Sequence, residues 1–136
     1  MAIKSRAKVV KSSKPAAPAP GNVRVAAIQM ASGPNVSANL SEAERLIEIA
    51  VGQGAKLVAL PEYFAIMGIR DTDKVAAREK EGSGPIQRFL SKIAKKHEIW
   101  LIGGSIPLES STEDKVRNAC LVFDDKGKQV ARYDKI

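Results

Sequence analysis

Apolar and polar residues change their spacing several times along the chain. Val23–Met30 (VRVAAIQM) is a short β-rich apolar run, and Ser32-Gly33-Pro34-Asn35 behind it is a turn cluster. From about Ser37 to Val51 the period becomes helical. Leu40, Ala43, Leu46, Ile47, Ala50 and Val51 form one stripe, with Glu42, Glu44, Arg45 and Glu48 off it. Gly52-Gln53-Gly54 ends that helix. Leu57–Leu60 (LVAL) is a continuous apolar run of the kind found in strands covered on both faces, and Pro61 stops it. Residues 61–84 are irregular, with a short helix at about 72–80. Pro85 suits the first turn of a second long helix, in which Ile86, Phe89, Leu90, Ile93 and Ala94 share a face. Ile99–Ser105 (IWLIGGS) reads as a third buried strand and 107–115 as a polar loop. Val116–Phe123 and Gln129–Tyr133 flank Asp124-Asp125-Lys126-Gly127 as a hairpin.

The resulting order, β-α-β-α-β followed by a hairpin, predicts an α/β chain with a mixed sheet and right-handed crossovers in its first two units. The two helices cover only one face if both pack on the same side, which leaves the other face bare. Composition adds limits. With 44% apolar and 27% charged residues in 136, the chain is ordinary for a globular domain, and its six aromatic residues make the core aliphatic. No apolar run reaches the ~18–20 residues of a membrane-spanning helix. One cysteine, Cys120, and one histidine, His97, exclude an internal disulfide and a Cys/His zinc cluster. The net charge of +7 is mostly local: residues 1–20 carry five basic residues and no acid, so the rest of the chain is close to neutral. The body therefore gives no support to nucleic-acid binding. Residues 1–21 read as a disordered basic tail rich in Ala, Pro and Lys, and 22–136 as the folded part. Binding of a polyanion by that tail is a rival reading.

Functional groups of open α/β sheets gather at the carboxyl ends of strands. Gln29, Met30, Glu62 and Gly103-Gly104-Ser105 fall there. Glu62, one residue past Pro61, is the most pointed. Partial desolvation would raise its pKa towards the range of a general base, and the plainer alternative is a carboxylate capping a helix or pairing with a lysine. Lys135 alone is an ordinary strand-end lysine. Cys120 reads as a small buried hydrophobe and His97 as a surface capping side chain. Gly103-Gly104 follows a strand without opening a helix, which does not fit a dinucleotide fingerprint.

Taken together, VRVAAIQM, AERLIEIA, KLVALPEYF, GGSIP, RNACLVFDDKGK and ARYDKI occur in an order that resembles the N-terminal half of the nitrilase superfamily, the carbon–nitrogen hydrolases. The GGSIP and RN-x-C-x-VF segments are most similar to the branch of ω-amidases and deaminated-glutathione amidases. The resemblance implies a four-layer α-β-β-α sandwich, of which 22–136 would be an incomplete N-terminal part with its helices on the outer face. It also implies a homodimer, a cytoplasmic location, no metal or organic cofactor, and a small carboxylate-bearing amide as substrate. By the same resemblance Glu62 is the base and Lys135 the oxyanion stabiliser, with Tyr63 a candidate to contact substrate. The family's nucleophilic cysteine follows its lysine, so the resemblance finds no nucleophile in this chain and implies a truncated, inactive fragment. The rival for a complete chain is a non-catalytic interaction module that uses the exposed sheet face.

Overall fold

The computed structural model describes residues 16–135, and the disorder expected of the tail falls largely on 1–15, outside them. Residues 16–24 form neither helix nor strand. The elements that follow are β1 (Val25–Ala27), α1 (Val36–Gly52), β2 (Leu57–Ala59), α2 (Asp71–Ala76), α3 (Pro85–His97), β3 (Trp100–Ile102), β4 (Ile106–Glu109), β5 (Val116–Phe123) and β6 (Gln129–Asp134). The two long helices and the hairpin lie within a residue or so of where periodicity puts them. The three leading strands are shorter than their apolar runs, although the pairing continues past them through Ile28 N–H to Ala59 O and Leu60 N–H to Ile102 O, both 2.9 Å.

The two long helices start at identifiable caps. The Asn35 side chain accepts from Ala38 N–H at 2.9 Å and caps α1. Gly84 precedes Pro85 and has no side chain to cap α3. Buried Glu79 takes that part from a distance. Its carboxylate accepts from Ile86 N–H (2.5 Å), Gln87 N–H (3.1 Å) and Gln87 Nε2 (3.1 Å). Lys95 and Lys96 close the same helix where positive charge meets the carbonyl end of the dipole. His97 is half-buried beside Glu48, at 3.9 Å, rather than a surface cap.

β1, β2 and β3 pair in parallel, and β3 pairs antiparallel with β5 through Leu101–Phe123 and Ile102–Val122. β4 follows β3 along the same edge of β5, and β6 pairs along the other. β4 corrects the sequence reading, which made 107–115 a polar loop. Pro107 hid it. The Pro107 carbonyl accepts from Glu79 N–H (3.0 Å), so the side of the residue that lacks an N–H faces away from the β5 ladder.

The core lies between the sheet and α1 with α3. Ile47, Ala43, Leu90, Ile93 and Ile86 meet Val58, Leu101, Ala119, Leu121 and Phe123 there. Period-two alternation sends Val25, Leu57, Trp100, Ile102, Cys120 and Tyr133 to the opposite face. No described helix covers that face: Val25 is 64% exposed, Trp100 47% and Tyr133 63%. Among the described residues, the LVAL and IWLI strands are therefore covered on one face only, and the bare face is the one the count of two helices predicts.

Candidate active site

Glu62 follows β2 through Pro61, on a loop held from below. Gly104 adopts φ +59, and a Cβ there would lie 2.9 Å from the Pro61 carbonyl carbon and 3.0 Å from Leu60 O. The backbone of 60–61 can sit this close to the β3–β4 bend because residue 104 is glycine. Buried Ser105 accepts from Tyr63 N–H at 2.9 Å. Ser32 Oγ donates to Phe64 O (2.8 Å), and the buried Asn39 amide donates to Ala65 O (2.9 Å) and Gly33 O (2.8 Å). The LPEYF segment is therefore tied to two other loops. Tyr63 has φ +55, an uncommon backbone state for a non-glycine residue and one that recurs at functional sites.

Lys135 arrives from the other side, at the end of β6. Alternation places Ala131, Tyr133 and Lys135 on the helix-free face. Its Nζ donates to Glu62 Oε1 at 3.1 Å, across 73 positions of sequence. The Asn118 amide donates to the same oxygen at 2.9 Å. Leu60, Glu62, Ile102, Gly104, Ser105, Asn118, Cys120, Tyr133 and Lys135 line a recess of about 240 Å³ on this face, at the carboxyl ends of β2 and β3. Among the described residues Glu62 Oε2 has no hydrogen-bond partner.

The charge state of Glu62 differs from the sequence expectation. Its carboxyl is held below the usual carboxylate range, chiefly by the Lys135 hydrogen bond. The side chain is half-exposed, so desolvation is the lesser influence. Glu62 reciprocally holds the Lys135 ammonium above its ordinary value. The carboxylate–lysine pairing that the sequence offered as the plain alternative is present, and both members sit in one recess.

Of the other candidates, Tyr63 turns its ring to Lys74, whose Nζ lies 4.3 Å from the ring centre; Tyr133, which sequence reasoning passed over, lines the recess. Cys120 also lines it, nearer the pair than its reading as a simple core residue implies. Burial raises the Cys120 thiol, however, and no hydrogen bond joins its sulfur to Glu62 or Lys135. An activated nucleophile is perturbed in the opposite direction. Asn118 was missed as well. Its signal, an Asn on an apolar strand facing the same way as Tyr133 and Lys135, needs the hairpin register to be seen.

Comparison with known proteins gives one family. The carbon–nitrogen hydrolase family model matches residues 24–136. The deaminated glutathione amidase of Synechocystis is 38% identical over 112 residues, 82% of this chain and 40% of that protein. The omega-amidase NIT2 of Xenopus tropicalis is 40% identical over 114 residues, 83% of this chain and 40% of its own. The crystal structure of Saccharomyces cerevisiae Nit3, a member of branch 10 of the nitrilase superfamily, superposes with a TM-score of 0.68 at 32% identity, covering 77% of this chain and 40% of that one. The chain thus spans about two fifths of the length of these relatives.

Proposed function

We propose, because the chain belongs to the carbon–nitrogen hydrolase family, that its recess holds the base and the cation of a cysteine-dependent hydrolysis of small carboxylate-bearing amides. The Glu62–Lys135 contact at 3.1 Å carries this reading. Two residues far apart in sequence meet in a recess at strand ends, and a base beside a fixed cation is what thioester chemistry on an amide requires.

An amide carbonyl is a weak electrophile. A thiol attacks it as the thiolate, its proton passing to the Glu62 carboxylate. The carbonyl oxygen becomes an oxyanion, which the Lys135 ammonium stabilises. Collapse breaks the C–N bond, and the departing nitrogen takes the proton from Glu62 and leaves as ammonia or an amine. Water then attacks the thioester, with Glu62 again as base, and releases the acid and the thiol. Glu62, held below the ordinary carboxylate range, is ionised and ready at neutral pH, and Lys135, held above its ordinary value, stays charged.

Burial favours the neutral Cys120 thiol, and no hydrogen bond joins its sulfur to Glu62 or Lys135, which supports a nucleophile other than Cys120. The nucleophile belongs to the length that the relatives have and these 136 residues do not span. The deaminated glutathione amidase and omega-amidases among the relatives support a carboxylate-bearing amide as substrate. The test is ammonia release from short dicarboxylate monoamides. We expect none from the 136-residue chain alone. Fused to the segment by which Saccharomyces Nit3 exceeds it, the chain should release ammonia and lose that activity with Glu62→Gln. Release by the chain alone, abolished by Cys120→Ser, would overturn the exclusion of Cys120. Release indifferent to Glu62→Gln would overturn the site.

The exposed Val25, Trp100 and Tyr133 favour a second reading, in which the helix-free face is a contact surface and no chemistry occurs. In that case the fusion stays inactive, and Trp100→Glu abolishes an association seen by sedimentation.

A further inference from the structure

Glu62 has two oxygens, and the structure treats them differently. Oε1 accepts from both Lys135 Nζ (3.1 Å) and Asn118 Nδ2 (2.9 Å). Oε2 accepts from none of the described residues. Asn118 also reaches Lys135 by its backbone: its carbonyl accepts the Lys135 N–H at 3.0 Å. One residue on β5 therefore touches both members of the pair, one through its side chain and the other through its main chain. The amide must present its NH2 to the carboxylate, because the reverse orientation would set two acceptors against each other. That orientation leaves Asn118 Oδ1 buried and without a partner among the described residues. A buried orphan acceptor is unfavourable, so its presence calls for a reason. Packing does not supply one, since an aliphatic side chain would fill the same position without the penalty. The donor on Glu62 does.

We propose that Asn118 is a positioning residue: with Lys135 it occupies Glu62 Oε1, fixes the carboxylate plane, and leaves Oε2 as the oxygen that takes the proton. This rests on the reading of Glu62 as the base. A carboxylate free to rotate offers either oxygen to a thiol. One held by two donors on the same atom offers a single oxygen from a fixed direction, which is the orientation that proton transfer needs. Sharing Oε1 also keeps Lys135 beside the carboxylate without a hydrogen bond from its ammonium to Oε2.

The test is an NMR titration of the isotopically labelled 136-residue chain, following the Glu62 side-chain carboxyl carbon and the Asn118 side-chain NH2 together. Glu62 should titrate below an ordinary glutamate, and the Asn118 amide resonances should move with the same midpoint. That movement should vanish in Glu62→Gln. Asn118→Ala should shift the Glu62 midpoint upwards. Asn118→Asp, nearly the same shape but with an acceptor where the donor was, should shift it further, since two carboxyl groups then face each other. An Asn118 amide that stays flat through the Glu62 titration of the unmodified chain would overturn the proposal, whether or not the variants fold. So would a Glu62 midpoint unmoved in folded Asn118→Asp. None of these signals depends on turnover, so they survive if the amidase reading fails. In the active fusion, Asn118→Ala should lower kcat with little change in KM, and the acid limb of the rate profile should rise with the Glu62 midpoint. An unchanged kcat there would refute the positioning role while leaving Glu62 as the base.

Discussion

Gly104→Ala probes how the β3–β4 bend holds the site. Residue 104 sits at φ +59, and its new Cβ would lie 2.9 Å from the Pro61 carbonyl carbon, 3.0 Å from Leu60 O and closer still to Pro61 O. Two penalties combine. A left-handed backbone costs an L-residue about 1–2 kcal/mol. Forcing a methyl into a packed contact costs a further ~1–3 kcal/mol. Backbone atoms cannot rotate away as a side chain could, so the sum of about 2–5 kcal/mol should be felt nearly in full against a total stability of about 5–15 kcal/mol. In urea, with a slope near 2 kcal/mol/M, the midpoint should fall by about 1–2.5 M at constant slope. The displaced group is Pro61, and Glu62 is its neighbour. The same variant should therefore loosen the contact with Lys135 and Asn118 and raise the Glu62 titration midpoint. Gly52→Ala is the control, because that helical position is open and nothing lies within 4 Å of the added Cβ. It should stabilise by about 0.5–1 kcal/mol. A Gly104→Ala chain that unfolds at the original urea concentration and keeps the original Glu62 midpoint would refute the view that this approach of backbone to backbone sets the loop.

Glu79→Ala strands the Ile86 and Gln87 N–H donors at the start of α3 and should cost about 2–4 kcal/mol in urea unfolding, with Glu79→Gln costing less because an acceptor remains. Lys135→Met should raise the Glu62 midpoint, since the lysine is the main cause of its depression. The sign for stability follows from both partners. Glu62 is lower in the folded chain than unfolded, so its contribution is present above the ordinary glutamate value and is lost as pH falls through the folded one; Lys135 is higher, so its contribution is present below the ordinary lysine value and is lost as pH rises through the folded one. Thermal melts of the unmodified chain and Glu62→Gln should differ between those limits and converge at both extremes. Cys120, whose thiol is raised by burial, should react with a disulfide reagent more slowly at neutral pH than a free thiol, and Cys120→Ala should shift stability by no more than about 1 kcal/mol.

What could be read from the sequence depended on how far apart the cooperating residues lie. The stripes of α1 and α3 are local, and so are Pro85 and the Asp124–Gly127 turn; these appear where expected. Asn39, Ser105 and Gln87 are buried polar residues that no local pattern announces. Ser105 is satisfied 42 positions away and Asn39 26 positions away, at segments brought together only by the fold. β4 was hidden for a related reason. Its Pro107 argues against a strand until one knows that Glu79, from the loop before α3, lies on its far side. The error over Glu62 has the same origin. Desolvation is a property of a strand end and could be argued from Leu57–Leu60, but the cation that outweighs it stands 73 positions later.

The hairpin register joins these observations. Lys135 by itself looks like any lysine at the end of a strand. Counting back by twos reaches Tyr133 and Ala131, and the pairing of Cys120 with Tyr133 places all three on the helix-free face with Asn118. A slip of one residue would turn Lys135 towards the helices and leave Glu62 without its cation. The register is set at the opposite end of the hairpin. The Asp124 carboxylate accepts from Lys126 N–H (3.0 Å) and Lys128 N–H (2.8 Å), Gly127 supplies φ +79, and an irregularity between Val122 and Phe123 absorbs the offset. The turn DDKG, remote from the recess, is therefore as much a determinant of the site as the LPEYF loop. The turn fixes which face receives Lys135, and the loop fixes where Glu62 waits for it.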